Sequence, residues 1–197
     1  MDRSRGRTVK KLLMLVVSLS LAAACSSQKE PAEDAVKGLQ TAAAAATPNI
    51  EQFAADRMAG VNDAVAAVKA KFDAEDYAGA LADVPAAAAT VTTAAEAAAA
   101  RRAQLATDWA SFAGMPASIG RIKSKVAELN AMSRLPQGMD RAQFDGAKSS
   151  LESATGLWDD ASDAYDKGDL VVAVSKAQDA KPIVESLITT LGLSAAK

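Results

Sequence analysis

Five aspartates, Asp159, Asp160, Asp163, Asp166 and Asp169, form the densest set of chemically capable groups in the 197-residue chain. Steps of three and four put several of these carboxylates on one side of a helix, near its C-terminal end, where the dipole already disfavours negative charge. A divalent cation with oxygen ligands relieves such repulsion, which makes Asp159, Asp163 and Asp166 candidate metal ligands. Their order does not fit a D-x-[DN]-x-[DN]-G calcium loop. The plainer expectation is a solvated face, with Lys167 shielding its neighbours and Asp169 capping the next helix. The chain contains no histidine, which removes the commonest general base and metal ligand. Its one cysteine, Cys25, excludes an intrachain disulfide and a Cys/His metal centre. Gly146-Ala147-Lys148-Ser149 lacks the upstream glycine, the Gly-Lys adjacency and the preceding strand of a phosphate loop, and reads as helix. Trp109 and Trp158 offer faces for a planar ligand, yet both stand on apolar stripes and are expected to pack as core. No nucleophile and base stand at diagnostic spacing, so the chain reads as a non-enzyme that needs no cofactor.

The thiol of Cys25 sits in an informative setting. Residues 10–25, KKLLMLVVSLSLAAAC, join a basic head to a short apolar run and three small residues. The run is too short for a mature membrane span of ~20 residues and has the length of an export signal. This segment resembles the signal of bacterial lipoproteins, with Ala22-Ala23-Ala24-Cys25 as the lipobox. The resemblance implies that residues 1–24 are removed and that Cys25 carries diacylglycerol and an N-acyl chain such as palmitate. It departs from the commonest pattern at Ala22, where leucine is more usual, and an ordinary secretory signal cut at residues 22–24 is the alternative. Ser26 implies an outer-membrane destination facing the periplasm in a host with two membranes, and otherwise the outer face of the cell membrane. Residues 25–34 then read as a lipidated, polar spacer and 35–197 as a helical domain. Removing the signal takes away Arg3, Arg5, Arg7, Lys10, Lys11 and Asp2. That leaves 22 − 5 = 17 basic and 24 − 1 = 23 acidic residues. Such an acidic body argues against nucleic acid as a partner.

Half of the residues are apolar but only 4% are aromatic, so alanine-rich helices packed through small side chains are expected. A weakly apolar helix over residues 31–46 reads as a stalk that stops before Thr47-Pro48. From Asn49 the stripe Met58, Val61, Val65, Val68, Phe72 predicts an amphipathic helix. Asp76 caps the next, which carries Tyr77, Leu81, Val84 and Val91 through Pro85 towards Trp109 and Phe112. A shorter helix spans 117–134. The second half then repeats the first: Ala147, Leu151, Ala154, Trp158, Ala161, Tyr165 stand in the register of Ala54, Met58, Val61, Val65, Val68, Phe72. Past the turn, Leu170, Val174, Ala177, Val184, Ile188, Leu191 match Tyr77, Leu81, Val84, Val91, Ala95, Ala98. An all-α, antiparallel helical bundle of about five helices, built from two similar αα-hairpins, is the predicted fold. Ala161, Tyr165, Gly168 and Ala173, with Phe72, Asp76 and Ala80 in the first copy, resemble the turn of tetratricopeptide repeats, which implies close hairpin packing only.

These features favour a non-catalytic structural or protein-interaction role for a membrane-anchored envelope lipoprotein with a protein partner in the envelope. A second reading starts from Cys25 and Lys197, which resemble the lipidated cysteine and terminal lysine of Braun-type murein lipoproteins. That resemblance implies peptidoglycan attachment at Lys197. A small-molecule or cation carrier is the third, and would need a pocket between the helices.

Overall fold

The computed structural model describes residues 28–193, and every regular element among them is helical. In order they are α1 (Lys29–Phe53), a 3-10 turn (Ala55–Arg57), α2 (Met58–Asp73), α3 (Tyr77–Ala110), α4 (Met115–Ala131), α5 (Arg141–Asp166) and α6 (Leu170–Thr190). The fold is an all-α bundle containing the two expected hairpins, α2–α3 and α5–α6. The chain divides into two compact units between Ala99 and Ala100, within α3.

In the first unit α1, α2 and the early part of α3 share a core of Val36, Leu39, Ile50, Val61, Val68 and Val91. Helix α1 is therefore core rather than stalk, since Ala32, Val36, Leu39 and Ile50 are all buried. It also runs on through Pro48, where the sequence suggested an end. An interior proline forfeits one hydrogen bond and costs about 3 kcal/mol. Burying Ile50 fully and Phe53 partly on the same face returns a similar amount, at about 1.5–3 kcal/mol for a large side chain fully buried. The break comes instead at Ala54, whose φ of −148° and ψ of 46° leave the helical region just before the 3-10 turn.

The second unit holds the end of α3 with α4, α5 and α6. Leu105, Ile122, Leu129, Phe144 and Leu187 are buried there. Helix α5 starts with a reciprocal cap: Gln143 N–H donates to Asp140 Oδ1 at 2.8 Å, and Asp140 N–H to Gln143 Oε1 at 2.9 Å.

Each hairpin carries the same pattern of burial. Ala54 and Ala147, Val61 and Ala154, and Val68 and Ala161 are buried in pairs, as are Ala80 and Ala173, Val91 and Val184, and Ala98 and Leu191. The turns agree atom by atom. Asp76 N–H donates to Lys71 O and Glu75 N–H to Phe72 O, as Asp169 N–H donates to Ala164 O and Gly168 N–H to Tyr165 O. This is a Schellman closure, and it puts Glu75 (φ 62°) and Gly168 (φ 81°) in the left-handed region. The residue after each is an aspartate that caps the following helix: Asp76 accepts from Gly79 N–H at 2.9 Å, and Asp169 from Val172 N–H at 3.1 Å. An ion pair ties each hairpin across its helices, Lys71 to Asp83 at 2.6 Å and Asp160 to Lys176 at 3.6 Å.

Candidate functional site

Among the described residues, Met132, Tyr165, Val171 and Val172 are the large apolar side chains left exposed, and the last three flank the α5–α6 turn. Helix geometry explains Tyr165. It lies on the core-facing stripe of α5, but at its final turn, where the hairpin has nearly ended. Val171 and Val172 occupy the first turn of α6, outside its buried stripe of Ala173, Val174 and Ala177.

Behind this turn lies an aromatic stack. Trp158 and Tyr165 are two turns apart on α5, about 10.5 Å along its axis. Trp109 of α3 is nearly parallel to both, with centroids 5.5 Å from Trp158 and 4.6 Å from Tyr165. Its indole is therefore inserted between the two α5 rings. Both tryptophans are half-buried, while Tyr165 keeps 44% of its surface. The first hairpin differs at the corresponding place. There Phe72 meets Tyr77 edge-on at 5.4 Å, both half-buried, whereas Leu170 stands where Tyr77 would be in the second copy. Parallel stacking leaves the outer face of Tyr165 available; the edge-on pair of the first hairpin covers itself.

The candidate metal ligands Asp159, Asp163 and Asp166 are exposed on α5, and the ion pairs among the described residues do not include them. Among the described residues no three acidic side chains gather as a metal-binding group. Asp160 is drawn off to Lys176, and Asp169 serves α6 as its cap. Residues 146–149 are helical as read, with Ala147 buried and Lys148 Nζ 5.9 Å from the Phe144 ring centroid. Cys25 and Lys197 lie outside the described residues.

Two open grooves lie on the surface of the described residues. One of about 380 Å³ is lined by Asp56, Arg57, Gly60, Thr90 and Thr93. The other, about 430 Å³, runs along Ala117, Gly120, Ser124 and Glu128 of α4 to Leu193. In the first, Arg57 Nε already donates to Asp56 at 3.2 Å. Perturbed ionisation lies elsewhere. A hydrogen bond to Asp83 raises the Lys71 pKa, and the Lys37 contact at 2.7 Å holds the Glu33 carboxyl below its ordinary range. No described helix is long and apolar enough to cross a membrane.

The sequence reading named both tryptophans but missed Tyr165 as the third ring. The Trp158-to-Tyr165 spacing on one stripe was the available signal. It does not say that Trp109, distant in the chain, enters between them. No family model, no curated protein and no solved structure matches this chain.

Proposed function

We propose that this chain is a lipid-anchored lipoprotein of the bacterial cell envelope whose helical body has a non-catalytic role in protein interaction or envelope structure. One observation carries the reading: the chain's only cysteine stands directly after Ala22-Ala23-Ala24, at the end of a basic and then apolar segment of export-signal length. Acylation there joins diacylglycerol and an N-acyl chain to Cys25. Each buried methylene of those chains contributes about 0.8 kcal/mol, so more than one chain holds the body stably at the surface. The few residues between Cys25 and the start of α1 at Lys29 supply the spacer, and the capped α5–α6 hairpin carries exposed apolar side chains at its turn.

Expression of the full chain in a bacterial host fed an alkyne-bearing palmitate tests this. The wild type is expected to take up the label and to sediment with membranes. Cys25→Ala is expected to lose the label and to appear in the soluble periplasmic or secreted fraction. An unlabelled, soluble wild type overturns the reading. Cross-linking in intact cells, with the labelled chain as bait, then identifies the envelope protein held by the body.

A further inference from the structure

We propose that the stack of Trp158, Trp109 and Tyr165 carries oxidising equivalents outward, and that exposed Tyr165 is the residue at which a one-electron oxidant modifies this chain. The inference goes beyond the envelope reading and is independent of it, because it needs only the three rings.

The rings touch face to face. Trp109 is 5° off parallel to Trp158 and 10° off parallel to Tyr165, with centroids 5.5 Å and 4.6 Å away. Along α5 alone, Trp158 and Tyr165 stand two turns apart, about 10.5 Å. Electron exchange falls steeply with distance, so the inserted indole replaces one long step by two steps between rings in contact. Exposure then marks the outer end: both tryptophans are half-buried, whereas Tyr165 keeps 44% of its surface. The first hairpin provides the contrast within the same molecule. There the half-buried Tyr77 meets Phe72 edge-on at 5.4 Å, and a phenyl ring is far harder to oxidise than an indole or a phenol. Both tryptophans of the chain therefore belong to the stack, but only one of its two tyrosines does.

Redox chemistry fixes the direction of travel. A one-electron oxidant, such as an oxygen-centred radical, removes an electron from an indole, whose N–H proton passes to water and leaves a neutral indolyl radical. The phenol of Tyr165 then gives one electron through the stack and its O–H proton to water, while the indole nitrogen regains a proton. In sum the oxidant gains one electron, one proton is released, and Tyr165 becomes a phenoxyl radical. The step runs this way because a phenoxyl radical is a weaker oxidant at neutral pH than an indolyl radical.

The test uses the purified full chain carrying Cys25→Ala, which removes the one thiol able to compete for a radical. Flashes of light absorbed by indole but not by phenol, with chloropentaamminecobalt(III) as the electron acceptor, oxidise the tryptophans selectively. Indolyl absorption is expected to decay as phenoxyl absorption grows, at a rate independent of protein concentration. A nitroso spin trap, whose nitrogen bonds to a ring carbon of the radical, is expected to mark Tyr165 and not Tyr77 in peptide mass spectra. Tyr165→Phe is expected to abolish the phenoxyl signal and prolong the indolyl one, whereas Tyr77→Phe leaves both as in the parent chain. Trp109→Phe, with its helical circular dichroism unchanged, is expected to lose the fast phenoxyl growth because Trp158 is then cut off from Tyr165.

A trap adduct on Tyr77, a phenoxyl signal that survives Tyr165→Phe, or indolyl decay with no phenoxyl growth overturns the proposal. So does a rate that rises with protein concentration, since electrons then pass between chains. Undiminished phenoxyl growth in folded Trp109→Phe removes the stack as the route. The tyrosine pair decides the exit site by itself, because each phenylalanine keeps the ring and loses only the oxidisable hydroxyl.

Discussion

Glu75 is the one described non-glycine residue with positive φ, at 62°, and it occupies the position that Gly168 holds at 81° in the second hairpin. A side chain in the left-handed region costs about 1–2 kcal/mol, part of which glycine returns through the greater freedom of its unfolded chain. Glu75→Gly is therefore expected to stabilise by about 0.5–1 kcal/mol and Gly168→Ala to destabilise by about 1 kcal/mol in urea unfolding. The neighbouring aspartates work in concert with these turns, each ending one helix and opening the next. Asp76→Ala and Asp169→Ala should each cost about 1 kcal/mol, while Asp→Asn at either position retains most of the cap. Glu33 supplies a pH dependence of known sign. Its pKa is lowered by the hydrogen bond from Lys37, so the pair's contribution is present above the ordinary glutamate value of 4.5 and is lost as pH falls through the lower folded value. Glu33→Gln should accordingly flatten the acid limb of thermal stability below pH ~4.5, by a small amount because both partners are exposed.

The helices divide into those whose ends are written in local chemistry and those whose ends depend on burial. Helix α5 begins where Asp140 and Gln143 cap one another, and α6 where Asp169 does. Both signals are a few residues long; the sequence reading named Asp169, as it named Asp76, but passed over Asp140. Helix α1 is the contrary case. Its Thr47-Pro48 pair resembles a stop, and Thr47 Oγ1 donates to Ala43 O at 2.9 Å, yet the helix continues because Ile50 is fully buried. Ile50→Ala is expected to cost about 2–5 kcal/mol, and in a hydrogen-exchange measurement to release α1 from residue 48 onward first. Had Pro48 been the real boundary, the two halves of α1 would exchange independently in the wild type as well. Pro85 and Pro182 stand exposed inside α3 and α6, and both helices continue through them.

At the scale of the molecule, the repeat accounts for most of the architecture. The register of buried residues, the Schellman turns and the aspartate caps recur together, and the ion pairs across each hairpin recur with reversed polarity, since Lys176 takes the place of Asp83. Between α4 and α5 lies the longest described stretch without helix, residues 132–140, in which Ser133 and Arg134 are exposed. Trypsin under native conditions should cut first after Arg134, leaving the α5–α6 hairpin on the smaller, C-terminal product. Mass spectrometry of the first fragments checks this, and an earlier cut within α2 or α6 would contradict it.

The sequence alone determined the helical class, the two hairpins, their register and the aspartates that cap them. Those properties follow from periodicity and from side chains acting within a few residues of themselves, so each appears in a short window of the chain. Only the tertiary structure decided that α1 is core, that its end lies at Ala54, and that Trp109 enters between Trp158 and Tyr165. Each of these depends on apolar groups far apart in sequence sharing one buried volume or one stack. The free energy of that shared burial exceeds a local breaker such as Pro48, and no local pattern encodes which distant side chain will supply it.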